Sequence, residues 1–300
     1  MASARFWRFF RHLNVSTLKS TLETAGALRL PGLAAEMAYN SLLAIFPATL
    51  AALTAVGLFG ASTQDSFEGL VGQLSEVAPE EVLKLLGDFV QTQLYASRNG
   101  GLFSLSFVAA LWAASSALGS AMIALDQIFQ IPVKRARPFW KAKLVALALT
   151  LGTLILLVMA SVLVFVSDQI IRRVASQSGD FETGLLEVWQ LFSWPLALGM
   201  IAIAAAFIYR YGPSHWRSGT PILPGAILAA LLWATVSGLF RLYVSRFGNY
   251  NQAYGAVGAV IVLLLWLYLS ALSLLIGAQL NVTIGASMGL SKGKRTSTPP

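Results

Sequence analysis

Charge along this chain comes in clusters, and the stretches between the clusters are apolar and of similar length. Charge-free runs extend from Met37 to Gln64, Asn99 to Leu125, Leu144 to Ser167, Val188 to Tyr209, Ser218 to Phe240 and Phe247 to Ser291. A helix needs roughly 20 apolar residues to cross ~30 Å of hydrocarbon. The first five runs each predict one crossing helix. The sixth is long enough to raise the question of two. It opens on the polar, turn-prone Gly248-Asn249-Tyr250-Asn251-Gln252 and closes on a Gly- and Ser-rich stretch from Thr283 to Ser291. Its apolar centre, Val257 to Ile276, is one helix long. The pattern therefore predicts an all-α, polytopic membrane protein with six transmembrane helices.

The parts between and around these runs give the domain organisation. Residues 1–33 form an N-terminal segment, 34–285 the transmembrane domain and 286–300 a tail. Arg5-Phe6-Trp7-Arg8-Phe9-Phe10-Arg11 mixes cations with aromatics. That suits a helix lying in the membrane interface; stacking on nucleic acid is the other use of such a composition, and a membrane-tethered chain favours the first. No cleavable signal peptide is evident in the first 33 residues. Segment 64–98 is the one sizeable polar insertion. Pro79-Glu80-Glu81 suits a helix start, after which Val82, Leu85, Leu86 and Phe89 share a face, giving an amphipathic helix on the outer surface of the bundle.

Composition agrees with a lipid environment. Charged residues make up 11% of the 300 residues, hydrophobic ones 56%, and mean hydropathy is +0.69. Soluble domains carry roughly 25% charge. There is no cysteine, so disulfides, thiolate metal sites and thiol nucleophiles are excluded, and the only histidines are His12 and His215. The net charge of +8 reads as basic loops facing anionic headgroups rather than as a nucleic-acid surface. With six spans, 15 of the 21 basic residues fall on one side, including Arg5, Arg8, Arg11, Lys134, Arg135, Arg137, Lys141 and Lys143, while only three of the 13 acids do. The positive-inside rule then puts both termini in the cytoplasm. Arg241 and Arg246 fit this asymmetry poorly.

Within the runs the polar residues are neutral. The spans place no charge near any helix centre, which argues against a proton relay built on Asp, Glu or His. Asn40, Ser41, Ser116, Ser120, Gln279 and Asn281 form a candidate intramembrane polar pocket; the alternative is that they pack helices together. Pro47 cannot bond the Leu43 carbonyl and predicts a kink. At the outer end Arg241, Arg246, Tyr250, Asn251 and Tyr254, with Tyr243 and Asn249 nearby, either grip a phosphate headgroup or anchor the interface. Trp112, Trp233 and Trp266 read as packing or belt residues. There is no Gly-rich phosphate loop, carboxylate pair, metal-spaced histidine set or Ser-His-Asp set; no catalytic residue, metal or cofactor is predicted.

The stretch IYRYGPSHWRSGTPILPGAILAALLWATVSGLFRLYVSRFGNYNQAYGAVGAVIVLLLWLYLSALSLLIGAQLNV, from Ile208 to Val282, closely resembles the YihY / virulence factor BrkB family of bacterial inner-membrane proteins. AYNSLLAIFP (Ala38 to Pro47) and LWAASSALGSAMIALDQIF (Leu111 to Phe129) carry the resemblance over nearly the whole chain. It implies six helices in the cytoplasmic membrane. The family was once labelled ribonuclease BN, a misassignment; envelope integrity, serum resistance and lipid transport have been suggested for members. The family usually reads G-A-E-L-N where this chain has Gly277-Ala278-Gln279-Leu280-Asn281, which speaks against a carboxylate role here.

Two functions follow as expectations. One is transport or binding of a lipid or other amphiphile, with membrane lipids as partners and no nucleic acid. The other is a non-transporting envelope or scaffold protein. A local match favours the first. At an offset of 121, Leu111-Trp112-Ala113, Ser116 and Leu118 correspond to Leu232-Trp233-Ala234, Ser237 and Leu239. Two three-helix halves would have to be inverted, as in alternating-access transporters; the other explanation is chance recurrence among apolar helices.

Overall fold

The computed structural model describes residues 14–58, 100–156, 182–216, 220–247 and 250–288. Seven helices lie among them: α1 Val15–Ala27, α2 Leu30–Leu58, α3 Gly100–Ile128, α4 Phe139–Leu156, α5 Glu182–Tyr211, α6 Leu223–Phe247 and α7 Tyr250–Ser287. A 3-10 turn, Val133–Arg135, interrupts the connection from α3 to α4. The chain is all-helical over these residues. The final apolar run is one helix of 38 residues, as its single apolar centre predicts. Among the described residues three helical stretches are long and apolar enough to cross a membrane: Phe139–Leu156, Leu223–Tyr243 and Val260–Ser287.

Several boundaries differ from the apolar runs. α2 begins at Leu30 and carries Glu36 within it. α4 begins at Phe139 and carries Lys141 and Lys143 in its first turns. Charge-free length measures what lipid tolerates, whereas a helix continues into the interface wherever its backbone bonds are met. α2 stays helical through Pro47, whose side chain and expected kink lie outside the described residues. So do Arg5–Arg11, the amphipathic part of segment 64–98 and the tail beyond residue 288.

α1 is capped by Asn14, whose Oδ1 accepts from the Thr17 backbone N–H and hydroxyl, both at 2.8 Å. It buries Thr17, Thr21 and Ala25, one stripe at four-residue spacing, and packs on α7. α7 also contacts α2, α3 and α6 and is the hub of the bundle.

The core shows how the long helices run. It joins Leu30 and Ala34 from the start of α2, Leu125 and Ile128 from the end of α3, Ile208 and Tyr209 from the end of α5, Ala226 from the start of α6, and Leu275 and Ala278 from late in α7. Arg137, just before α4, bonds to residues just after α5. At this end, called proximal below, α2, α4 and α6 begin and α3, α5 and α7 finish. The six long helices therefore alternate in direction. Small residues let them approach closely. Gly225 of α6 faces Gly277 of α7, and a Cβ on either would overlap the other's carbonyl oxygen.

Candidate functional site

The six residues of the predicted pocket receive different surroundings. Asn40 Nδ2 donates to Glu36 O at 3.1 Å and Ser41 Oγ to Met37 O at 2.8 Å. Ser120 Oγ donates to Ala117 O at 2.9 Å and Ser116 O at 3.3 Å. These groups are satisfied by the preceding turn of their own helices, the usual arrangement for a short polar side chain in a helix. Among the described residues, no side chain of the six hydrogen-bonds to the side chain of another.

Asn281 joins two helices. It is 1% exposed. Its Oδ1 accepts from the Gly225 N–H at 2.8 Å and its Nδ2 donates to Ile222 O at 3.1 Å. The first N–H groups of a helix have no partner within it, and Asn281 of α7 meets one of those of α6, the Gly225 N–H. Tyr209 ties α5 to α7 in the same region, donating to Leu274 O at 2.6 Å.

Gln279 is 2% exposed. Its Nε2 donates to Thr283 Oγ1 at 3.3 Å, and that hydroxyl donates to Gln279 O at 3.0 Å. The remaining acceptor, Oε1, is buried without a hydrogen-bond partner among the described residues, as is Ser270 Oγ one helical stretch earlier on α7. A buried acceptor left unpaired costs about 1–3 kcal/mol.

Two polar assemblies were not foreseen from the sequence. The first locks the proximal loops. Asp126, in the last turn of α3, accepts from Ser214 N with Oδ1 and from Ser214 Oγ with Oδ2, both at 2.6 Å. Arg137 donates to the carbonyls of Tyr211, Gly212 and Pro213 at 3.2, 2.7 and 2.8 Å, and its backbone N–H to Ser214 Oγ at 3.1 Å. A guanidinium at a helix C-terminus meets unpaired carbonyls and the negative dipole end together. Burial pushes the Arg137 guanidinium below its usual pKa and the Asp126 carboxylate pushes it back up; arginine remains charged throughout. Trp216 closes the assembly, with Phe129 at 5.7 Å between ring centroids and Arg210 at 5.0 Å over its ring. These residues are spread over about 90 positions, so no local spacing marks them.

The second assembly corrects the expectation that no charge lies near a helix centre. Lys143 Nζ reaches from α4 to α3. It lies 2.8 Å from Trp112 O, 3.4 Å from Ser116 Oγ and 4.4 Å from the Trp112 ring centroid. Trp112 and Ser116 flank Ala114, the middle residue of α3. A scan for charge within each run misses a long side chain that crosses to the neighbouring helix.

At the other end of α6, Arg241 and Tyr243 are exposed. The side chains of Arg246, Tyr250, Asn251 and Tyr254 lie outside the described residues. No group of three or more metal-binding side chains occurs among the described residues.

A family model described as virulence factor BrkB matches residues 21–299. A ribonuclease-like protein of Bacillus subtilis (strain 168), YfkH, is 31% identical over 250 residues, 83% of this chain and 88% of its own. A UPF0761 membrane protein of Tolumonas auensis is 29% identical over 264 residues, 86% of this chain and 81% of its own. A UPF0761 membrane protein of Xanthomonas oryzae pv. oryzae (strain PXO99A) is 41% identical over 96 residues, which is 32% of this chain and 23% of that longer protein. No solved structure matches.

Proposed function

The chain belongs to the virulence factor BrkB family, and on that premise we propose that it is a six-span protein of the bacterial cytoplasmic membrane that binds or moves a lipid or other amphiphile. The observation that carries the lipid reading is Gln279 Oε1. It is a buried acceptor without a partner inside a bundle of apolar helices. A ligand donating there would keep a polar group inside the bundle and its chains in hydrocarbon. The relatives' membrane-protein names agree with the setting.

The proposed topology has both flanks of the bundle in the cytoplasm. α2 starts and α7 finishes at the proximal end, which fits an even number of spans. Arg29, Lys134, Arg135, Arg137, Lys141 and Arg210 gather there, on the side where the positive-inside rule puts basic residues.

Ribonuclease activity is not proposed, although one relative carries a ribonuclease-like name. Phosphodiester hydrolysis by two metals needs clustered ligands, whereas Glu23, Glu36 and Asp126, the acids on that side, are dispersed in sequence, and Asp126 is committed to Ser214.

The test is lipid analysis of protein extracted without detergent, beside a Gln279→Leu variant. The wild type should retain phospholipid that the variant loses, with little change in thermal stability, since the leucine removes an unpaired acceptor together with the long Nε2 donation to Thr283 Oγ1. Purified protein in vesicles should also speed transfer of a fluorescent phospholipid between leaflets. If no lipid is retained and no transfer occurs, the scaffold reading replaces this one.

A further inference from the structure

We propose that Lys143, Trp112 and Ser116 form a site for the headgroup of an anionic phospholipid, entered from the lipid-facing side of the α3–α4 pair. This deepens the lipid-handling reading and rests on it: it names a lipid class and a place, separate from Gln279.

The first argument is charge. Lys143 belongs to the second turn of α4, yet its ammonium lies against the middle of α3. A lysine close to a membrane interface ordinarily extends toward water; this one reaches along the neighbouring helix. The Trp112 carbonyl, the Ser116 hydroxyl and the indole face present partial negative charge to it, and none of them neutralises it. The ion pair found among the described residues is the exposed Lys19–Glu23. No carboxylate among the described residues pairs with Lys143, and the counter-ion proposed for it is a bound anion.

The second argument is unused donors. An ammonium has three N–H groups, and Lys143 spends two of them, on Trp112 O and Ser116 Oγ. The Ser116 hydroxyl hydrogen and the Trp112 indole N–H have no acceptor among the described residues. An ammonium and a hydroxyl 3.4 Å apart, with the Trp112 ring centroid 4.4 Å from the ammonium, thus have donors to spare. That suits an oxyanion with several acceptor oxygens, such as a phosphodiester.

The third argument is access. Trp112 is 43% exposed, Val108 one turn earlier on α3 and Leu144 and Leu151 on α4 are exposed to a similar or greater degree, and all of them present apolar surface. Acyl chains attached to a bound headgroup would rest on these side chains. A free inorganic ion has no use for them, which is why the site is assigned to a lipid.

The experiment uses the full chain reconstituted in phosphatidylcholine nanodiscs, with native mass spectrometry counting retained lipids as phosphatidylglycerol is added. Wild type should prefer phosphatidylglycerol over phosphatidylcholine by about tenfold or more, a difference well above measurement error. Lys143→Arg should keep the preference and Lys143→Met should abolish it. Inorganic phosphate at millimolar concentration should not compete. Equal retention by a folded Lys143→Met variant overturns the site, as does displacement of the lipid by inorganic phosphate. If Lys143→Met does not fold, Trp112→Phe and Ser116→Ala each remove one donor and leave the amine; each should weaken the preference severalfold, and no change in either overturns the site. Lipid retention that depends on Gln279 and not on Lys143 sinks this site and leaves the broader reading standing. No retained lipid in any preparation sinks both.

Discussion

Gln130 holds a φ of 51°, a left-handed conformation that a non-glycine residue adopts at a cost of roughly 1 kcal/mol. It ends α3 in a paired hydrogen-bond motif: Ile131 N donates to Asp126 O at 2.9 Å and Gln130 N to Gln127 O at 3.0 Å. Its side chain is exposed, so Gln130→Gly should raise the thermal unfolding midpoint, by about 0.5–1 kcal/mol of stability. Asn281 behaves in the opposite sense. Asn281→Leu leaves the Gly225 N–H and the second Ile222 acceptor position unmet in a buried place, with an expected loss of about 2–4 kcal/mol in denaturant titration of the purified protein. Asn281→Asp keeps the acceptor and should lose less. The type of each polar residue was readable from the sequence, and so was its position on an apolar helix. Its partner was not: Asn281 caps a helix that begins more than 50 positions earlier, and nothing local to either segment records that relation.

At the scale of elements, apolar run length found the long helices because ~30 Å of hydrocarbon imposes a minimum on each. It placed their ends less well, since Leu30 and Phe139 begin helices inside segments that still carry charge. The loops held the larger surprise. Lys134, Arg135, Arg137 and Lys141 form one basic cluster in the sequence, and the topological rule treats them alike. The structure separates them: Arg137 bonds three successive carbonyls at the C-terminal end of α5, while Lys134 and Arg135 lie exposed in the 3-10 turn. Arg137→Lys should therefore destabilise the protein, since one ammonium cannot reproduce the fork, whereas Lys134→Gln should change little. Asp126→Ala and Ser214→Ala should be strongly non-additive, with a coupling of about 1–3 kcal/mol in a double-mutant cycle of thermal unfolding.

For the whole molecule, six alternating helices make a labelling experiment decisive. In this cysteine-free chain, single cysteines at Ser3, Glu76, Ser178 and Ser297 should divide cleanly. Only positions 76 and 178 should react with an impermeant thiol reagent applied outside intact cells; reaction at 297 would refute the even count. The local match at the 121-residue offset extends to the pairs Trp112/Trp233 and Ser116/Ser237 and not to the neighbours they meet. Trp112 and Ser116 of α3 both meet Lys143 of the following helix. Their counterparts at the 121-residue offset, Trp233 and Ser237 of α6, both meet Trp266 of the helix that follows theirs, at 6.3 Å between ring centroids and 3.2 Å from Nε1 to Oγ. The residue at that offset from Lys143 is Leu264, not Trp266, so the neighbours themselves are not equivalent. The hub position of α7 also bears on synthesis. α7 is the last of the seven helices to leave the ribosome, and it brings the cap of α6, the Gly277 surface against Gly225 and the carbonyl that Tyr209 bonds. At ~5–20 residues per second, the 56 residues between Gly225 and Asn281 take about 3–11 s to make. For that interval the Gly225 N–H and the Tyr209 hydroxyl are without the partners that α7 brings, so the proximal end of the bundle closes only when the last helix is in place.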